Sequence, residues 1–166
     1  MNSRHQKYLT KTLVLCLLLL PLAANAVTEF QYRVIKQYPH AREIFTQGLE
    51  IYKGQILESA GQYGRSSLTQ RTLEAALPLK SHSVPANFFA EGLTELNGRI
   101  YQLTWQSGTV FVYDANSFKT LPSLSIKGEG WGLTNDGKAL IMSNGSNQLH
   151  FIDPKDFSIQ RSLEVS

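Results

Sequence analysis

The sequence predicts an all-β protein: a β-propeller, of which this chain supplies about three four-stranded blades. The first observation is a repeat. The pairs Gly48-Leu49, Gly92-Leu93 and Gly132-Leu133 begin 44 and 40 residues apart, the period expected of propeller blades at roughly 40–50 residues. The second is that each interval breaks into short alternating segments separated by glycine-containing turns, which is hairpin chemistry. The third is that no segment carries a helical period.

Residues 1–26 read as a secretory signal peptide. Arg4, Lys7 and Lys11 precede an apolar run from Leu13 to Leu22, and Ala24-Asn25-Ala26 supplies a small-residue cleavage site. The run is shorter than the ~20 residues that span a bilayer, so it reads as a removable leader, and the protein is expected in the periplasm or outside the cell. Removing it leaves 140 of the 166 residues, with 13 basic and 13 acidic side chains and no cysteine, because Cys16 lies in the leader. A neutral mature chain offers no case for nucleic acid or for a membrane once the leader is gone. One ordinary core fits within 140 residues without disulfides, so residues 27–166 are read as a single partial propeller.

Phe30 to Lys36 alternates and reads as an early strand, broken by Tyr38-Pro39-His40. The first blade is predicted from Gly48–Tyr52, Gln55–Ser59, Ser67–Arg71 and Leu77–Val84, with a Lys53-Gly54 turn. Gly92–Leu96, Arg99–Trp105, Thr109–Tyr113 and Leu121–Lys127 make the second, and its Asn97-Gly98 is the strongest short-range hairpin signal because both residues tolerate positive φ. Gly132–Thr134, Ala139–Ser143, Gln148–Ile152 and Ile159–Val165 make the third. Asp114 and Asp153 stand at matching strand exits, where a carboxylate can accept from turn amides; the first blade has Thr72 there. Propellers close with four to eight blades. Three therefore read first as the front portion of a longer protein, otherwise as a chain whose ring is closed by another chain or by self-association, or as a degraded gene product.

Innermost strands line one channel, so equivalent positions in successive blades converge on a shared mouth. Here those positions are Gln47, Glu91 and Trp131, with Phe45, Phe89 and Glu129 beside them. Glu91 lies among Phe88, Phe89, Ala90 and Leu93, and burial against such walls raises a carboxyl toward a useful general acid/base. The plainer alternative is that it bonds a neighbouring blade. Gln47 is expected either to orient a polar substrate group or to satisfy backbone at a blade junction. Trp105 and Trp131 are either core or pocket wall, each with one N–H to donate. For Glu129, flanking glycines suggest a tight turn as its first role. Metal chemistry lacks support, since His40, His82 and His150 show no paired ligand spacing. No G-x-S-x-G elbow or helix-opening phosphate loop is present.

At Phe45-Thr46-Gln47-Gly48-Leu49, Tyr63-Gly64-Arg65-Ser66-Ser67-Leu68, Phe89-Ala90-Glu91-Gly92-Leu93-Thr94, Ile100-Tyr101-Gln102-Leu103-Thr104-Trp105 and Gly128-Glu129-Gly130-Trp131-Gly132-Leu133-Thr134, the sequence resembles the glutamine cyclotransferase family of plant and bacterial type. The ordered motifs cover the chain from about Tyr38 onward. The resemblance implies a five-bladed propeller that converts N-terminal glutamine of peptides and proteins to pyroglutamate, releasing ammonia, with no metal and no cofactor. It implies Glu91 as the proton shuttle and Phe45, Gln47, Phe89, Trp105 and Trp131 as substrate-binding residues. Ala41-Arg42-Glu43-Ile44 departs from the acidic, proline-containing segment usual after the histidine. The rival expectation is a non-catalytic propeller that binds peptides or proteins; a lactonase-like or quinone-dependent propeller is more distant.

Overall fold

A computed structural model describes residues 29–165. The predicted signal peptide, with Cys16, lies outside the described residues. The chain divides into two units, 1–36 and 37–166, and among the described residues every strand lies in the second. Twelve strands follow in order: β1 (Thr46–Tyr52), β2 (Gln55–Ala60), β3 (Ser67–Arg71), β4 (Lys80–Ser83), β5 (Ala90–Leu96), β6 (Arg99–Thr104), β7 (Thr109–Asp114), β8 (Thr120–Ser125), β9 (Leu133–Asn135), β10 (Leu140–Ser143), β11 (Gln148–Ile152) and β12 (Ile159–Glu164). They form three antiparallel sheets of four, each pairing its strands in sequence order. No helix occurs among the described residues.

The hairpins close where the turn residues permit positive φ. Lys53-Gly54 adopts φ 50° and 73°, and Asn97-Gly98 adopts 54° and 78°, the left-handed pair of a two-residue hairpin. Asp114 Oδ1 accepts from the amides of Asn116 and Ser117 at 3.2 and 2.8 Å, and Asp153 Oδ1 from that of Lys155 at 2.9 Å. Four residues beyond each Asp, Phe118 and Phe157 sit at φ 59° and 63° and are buried. Burial of a phenyl ring holds each in a conformation that a bulky residue rarely adopts.

One expected strand does not form. Phe30–Lys36 makes no ladder, and Phe30, Tyr32 and Ile35 are 88%, 91% and 87% exposed. Alternation specifies which faces a strand would present, but a strand exists only where a partner accepts its backbone bonds. Here the alternating pattern is present and no ladder forms.

The three inner strands of the middle sheet are buried on both faces, and period-two alternation divides their residues between two seams. Ile100, Phe111 and Tyr113 pack with Leu57 and Leu68 of the first sheet. Tyr101, Leu103, Val110 and Val112 pack with Leu140, Met142 and Ile152 of the third. Because side chains alternate across a strand, β6 and β7 serve both neighbours with consecutive residues. A buried polar link crosses the first seam: Gln102 Nε2 donates to Ser59 Oγ at 2.8 Å, and the Tyr113 hydroxyl donates to Gln102 Oε1 at 3.0 Å. Burial pushes the Tyr113 hydroxyl well above its ordinary pKa, so it stays a donor.

The recurring Gly-Leu pair acquires a steric reason at the inner strands. A Cβ on Gly48 would stand 2.6 Å from the Leu93 amide nitrogen, and one on Gly92 would stand 2.5 Å from both Leu133 N and Trp131 O. Gly48 and Gly92 mark where the next sheet's inner backbone passes too close for any side chain, whereas a Cβ on Gly132 would meet the Ser143 hydroxyl of its own sheet at 2.8 Å. Further along, Thr94 Oγ1 donates to Glu50 Oε2 at 2.5 Å and accepts from Asn135 Nδ2 at 2.7 Å. That chain ties all three inner strands together.

Candidate functional site

Two β-bulges aim the central polar residues. Between β1 and β2 the register slips at Thr46/Gly48, so Gln47 is the extra residue; between β5 and β6 it slips at Ala90/Leu93, so Glu91 and Gly92 oppose Leu103 alone. A bulge turns a side chain out of the regular alternation and is common beside active sites. Here the two bulged side chains meet: Gln47 Nε2 donates to Glu91 Oε2 at 2.8 Å. Gln47 therefore holds the carboxylate of the next sheet.

Glu91 is half-buried, and its pKa is raised from 4.5 to about 6. Loss of solvent is the main cause, partly offset by the Gln47 hydrogen bond, with the negative charge of Glu129 adding to the rise. Glu91 thus bonds a neighbouring sheet, and its carboxyl is raised at the same time. One consequence is measurable. The folded protein binds the Glu91 proton more tightly than the unfolded chain does, so this contribution to stability is complete below about pH 4.5 and is lost as pH rises through about 6. The melting temperature of Glu91→Gln relative to the parent should thus move in favour of the variant between pH 4.5 and 7, as followed by thermal melts; a difference constant with pH would contradict the raised carboxyl.

Around this pair the aromatic residues form a connected cluster with Phe89 at its hub. Phe89 makes edge-on contacts with Phe45, Tyr63 and Trp105, at centroid separations of 6.2, 5.6 and 5.9 Å. Such geometry suits aromatic quadrupoles. Gly61 makes room for it, since a Cβ there would lie 2.4 Å from the Phe89 ring. Trp131 lies before β9 and joins through Glu129, which accepts from the indole N–H groups of Trp105 at 3.0 Å and Trp131 at 2.9 Å. The six residues singled out for the site thus come together, drawn from all three sheets or the loops that lead into them. Among the described residues, no group of three or more His, Cys, Asp or Glu is placed to hold a metal ion.

This arrangement can be set beside known proteins. Residues 9–166 match the profile of the family described as glutamine cyclotransferase. The chain belongs to the glutamine cyclotransferase family. It is 36% identical over 132 residues to the glutaminyl-peptide cyclotransferase of Arabidopsis thaliana, covering 78% of this chain and 41% of that protein. It is also similar to the crystal structure of Myxococcus xanthus glutaminyl cyclase, with a TM-score of 0.74, 35% identity, and coverage of 81% of this chain and 56% of that one. The chain therefore spans about two fifths to just over half the length of these relatives. The WD40 domain of Neurospora crassa Pan2, at 12% identity and a TM-score of 0.59, shares the propeller-like fold alone.

One contributor to this site is not legible from the repeat. Tyr63 sits in the loop between Gly61 and Gly64, where Gln62 at φ 143° and Gly64 at φ 76° force a sharp course, and it packs on Phe89. Only its place in a family motif marked it. Glu129, expected beside the converging positions with a tight turn as its first role, does both: Gly128 turns, at φ 85°, and the carboxylate between the glycines binds both indoles.

Proposed function

We propose that this chain carries the reaction centre of a glutaminyl-peptide cyclotransferase, acting on peptides or proteins with N-terminal glutamine, and that it is exported. The observation that carries the reading is Glu91, raised to about 6 and held across two sheets by Gln47 beside the Phe89 cluster, in a chain of this family. The α-amine of the substrate attacks the carbon of its own side-chain amide. One C–N bond forms, the bond to the amide nitrogen breaks, and the products are a pyroglutamyl peptide and ammonia. Glu91 accepts the proton that the amine loses and returns it to the departing nitrogen, so the carboxylate ends as it began. A carboxyl near neutrality suits both transfers.

Because nucleophile and electrophile belong to one residue, the pocket need mainly fold the glutamine side chain back on its amine. The rings of Phe45, Phe89, Trp105 and Trp131 supply apolar walls for that conformer. Both indole N–H groups are already bound to Glu129, so the tryptophans offer faces rather than donors. The N-terminal segment with signal-peptide character supports export.

The test is ammonia release from a Gln-initiated peptide and from its N-acetylated counterpart. Release from the free amine alone is expected, since acetylation removes the nucleophile. Equal release from both would indicate plain amide hydrolysis and defeat the reading.

A further inference from the structure

The chain holds only two tryptophans, and both donate to one carboxylate oxygen. Trp105 Nε1 reaches Glu129 Oε2 at 3.0 Å and Trp131 Nε1 reaches the same oxygen at 2.9 Å, while Gln106 Nε2 takes Oε1 at 2.9 Å. Three donors on one anion make a charge-assisted set, about twice as strong as neutral hydrogen bonds. The donors, Trp131 foremost, then Gln106, hold Glu129 below the usual carboxylate range, so it remains an acceptor across the pH range in which the enzyme would work.

The two indoles come from different sheets. Trp105 follows β6, where its amide donates to Phe89 O at 3.0 Å, and Trp131 precedes β9, where its carbonyl accepts from the Gly92 amide at 2.7 Å. Trp131 is 45% exposed, and its ring lies so close over Gly145 that a Cβ there would stand 2.9 Å from it. An exposed indole loses rotamer freedom when fixed, and the hydrogen bond from its Nε1 to the Glu129 carboxylate offsets that loss.

We propose that Glu129 is a positioning residue of the substrate pocket: by accepting both indole N–H groups it fixes Trp105 and Trp131 as walls and so sets affinity for the glutaminyl end of the peptide. It takes no proton in the reaction. This rests on the cyclotransferase reading above.

The experiment compares the full chain with Glu129→Ala and Glu129→Gln, reading tryptophan emission, acrylamide quenching, and KM and kcat for a Gln-initiated peptide. Because no other tryptophan contributes, the optical signal reports this cluster alone. In Glu129→Ala the emission should move to the red and quenching should increase, with KM up by about tenfold and kcat within about threefold. Glu129→Gln keeps an acceptor and should recover most of both. Should Glu129→Ala fold poorly, Trp131→Phe decides, since it keeps a ring without the N–H and should raise KM by about threefold at similar kcat. Unchanged emission and quenching, a loss confined to kcat, or equal impairment in the Ala and Gln variants would each overturn the proposal. A parent that neither binds nor converts the peptide defeats the cyclotransferase reading itself. A working parent whose variants match it defeats only the role of Glu129.

Discussion

Replacing Glu91 with glutamine is expected to lower kcat for a Gln-initiated peptide by about 10²- to 10⁴-fold, the usual worth of a positioned general acid/base, while peptide affinity stays within about threefold. The variant is nearly isosteric and can still meet Gln47, so walls and fold survive; what it lacks is a site that takes and returns a proton at working pH. The pH profile makes the assignment sharper. In the parent, kcat/KM should rise as Glu91 loses its proton through about pH 6 and rise again as the substrate α-amine is freed near pH 8. In Glu91→Gln the lower limb should vanish from the residual rate, leaving the amine limb alone. Retained turnover with the lower limb intact would place the base elsewhere. A parent that binds peptide without releasing ammonia would favour the non-catalytic propeller.

The parts legible in the sequence are those written in local periodicity. Asn97-Gly98, the Gly-Leu repeat and the alternation of β6 and β7 mark turns, blades and faces, because each depends on residues only a few places apart. The Gly-Leu repeat also located Gln47 and Glu91, since equivalent positions in neighbouring sheets must converge. What could not be read is what one loop does to another. The bond of Glu129 to Trp105 spans 24 residues, and the Tyr63 contact with Phe89 joins two sheets; neither leaves a local signature. Phe30–Lys36 is the converse, a strand-like local pattern that forms no ladder. Glu58 shows the same limit. It is fully buried on β2, bonded to His40 at 2.7 Å, to Thr46, and to Arg71 at 3.4 Å, although alternation alone marks it only as one residue of a strand.

Two glycines six residues apart should respond to the same substitution for different reasons, and the larger response bears on function. Gly98→Ala puts a side chain into open space but at φ 78°, and the left-handed conformation should cost about 1 kcal/mol. Gly92 is not left-handed; its difficulty is contact. The new Cβ would sit 2.5 Å from Leu133 N and from Trp131 O, both backbone atoms, and the Gly92 amide donates to that same carbonyl at 2.7 Å. No rotamer change relieves such a clash. The inner strands of two sheets must separate, against the core that Leu103 and Leu140 form across the seam. Gly92→Ala should therefore cost about 3 kcal/mol, the upper end for overpacking, and lower the melting temperature by roughly 10 °C. Activity should fall further than stability alone requires, because the shift moves the Glu91 bulge and Trp131 together. Thermal melts of both variants, with ammonia release measured well below each midpoint, separate the two effects. If Gly92→Ala melted and turned over like Gly98→Ala, the close approach at the inner strands would not be what the Gly-Leu repeat preserves.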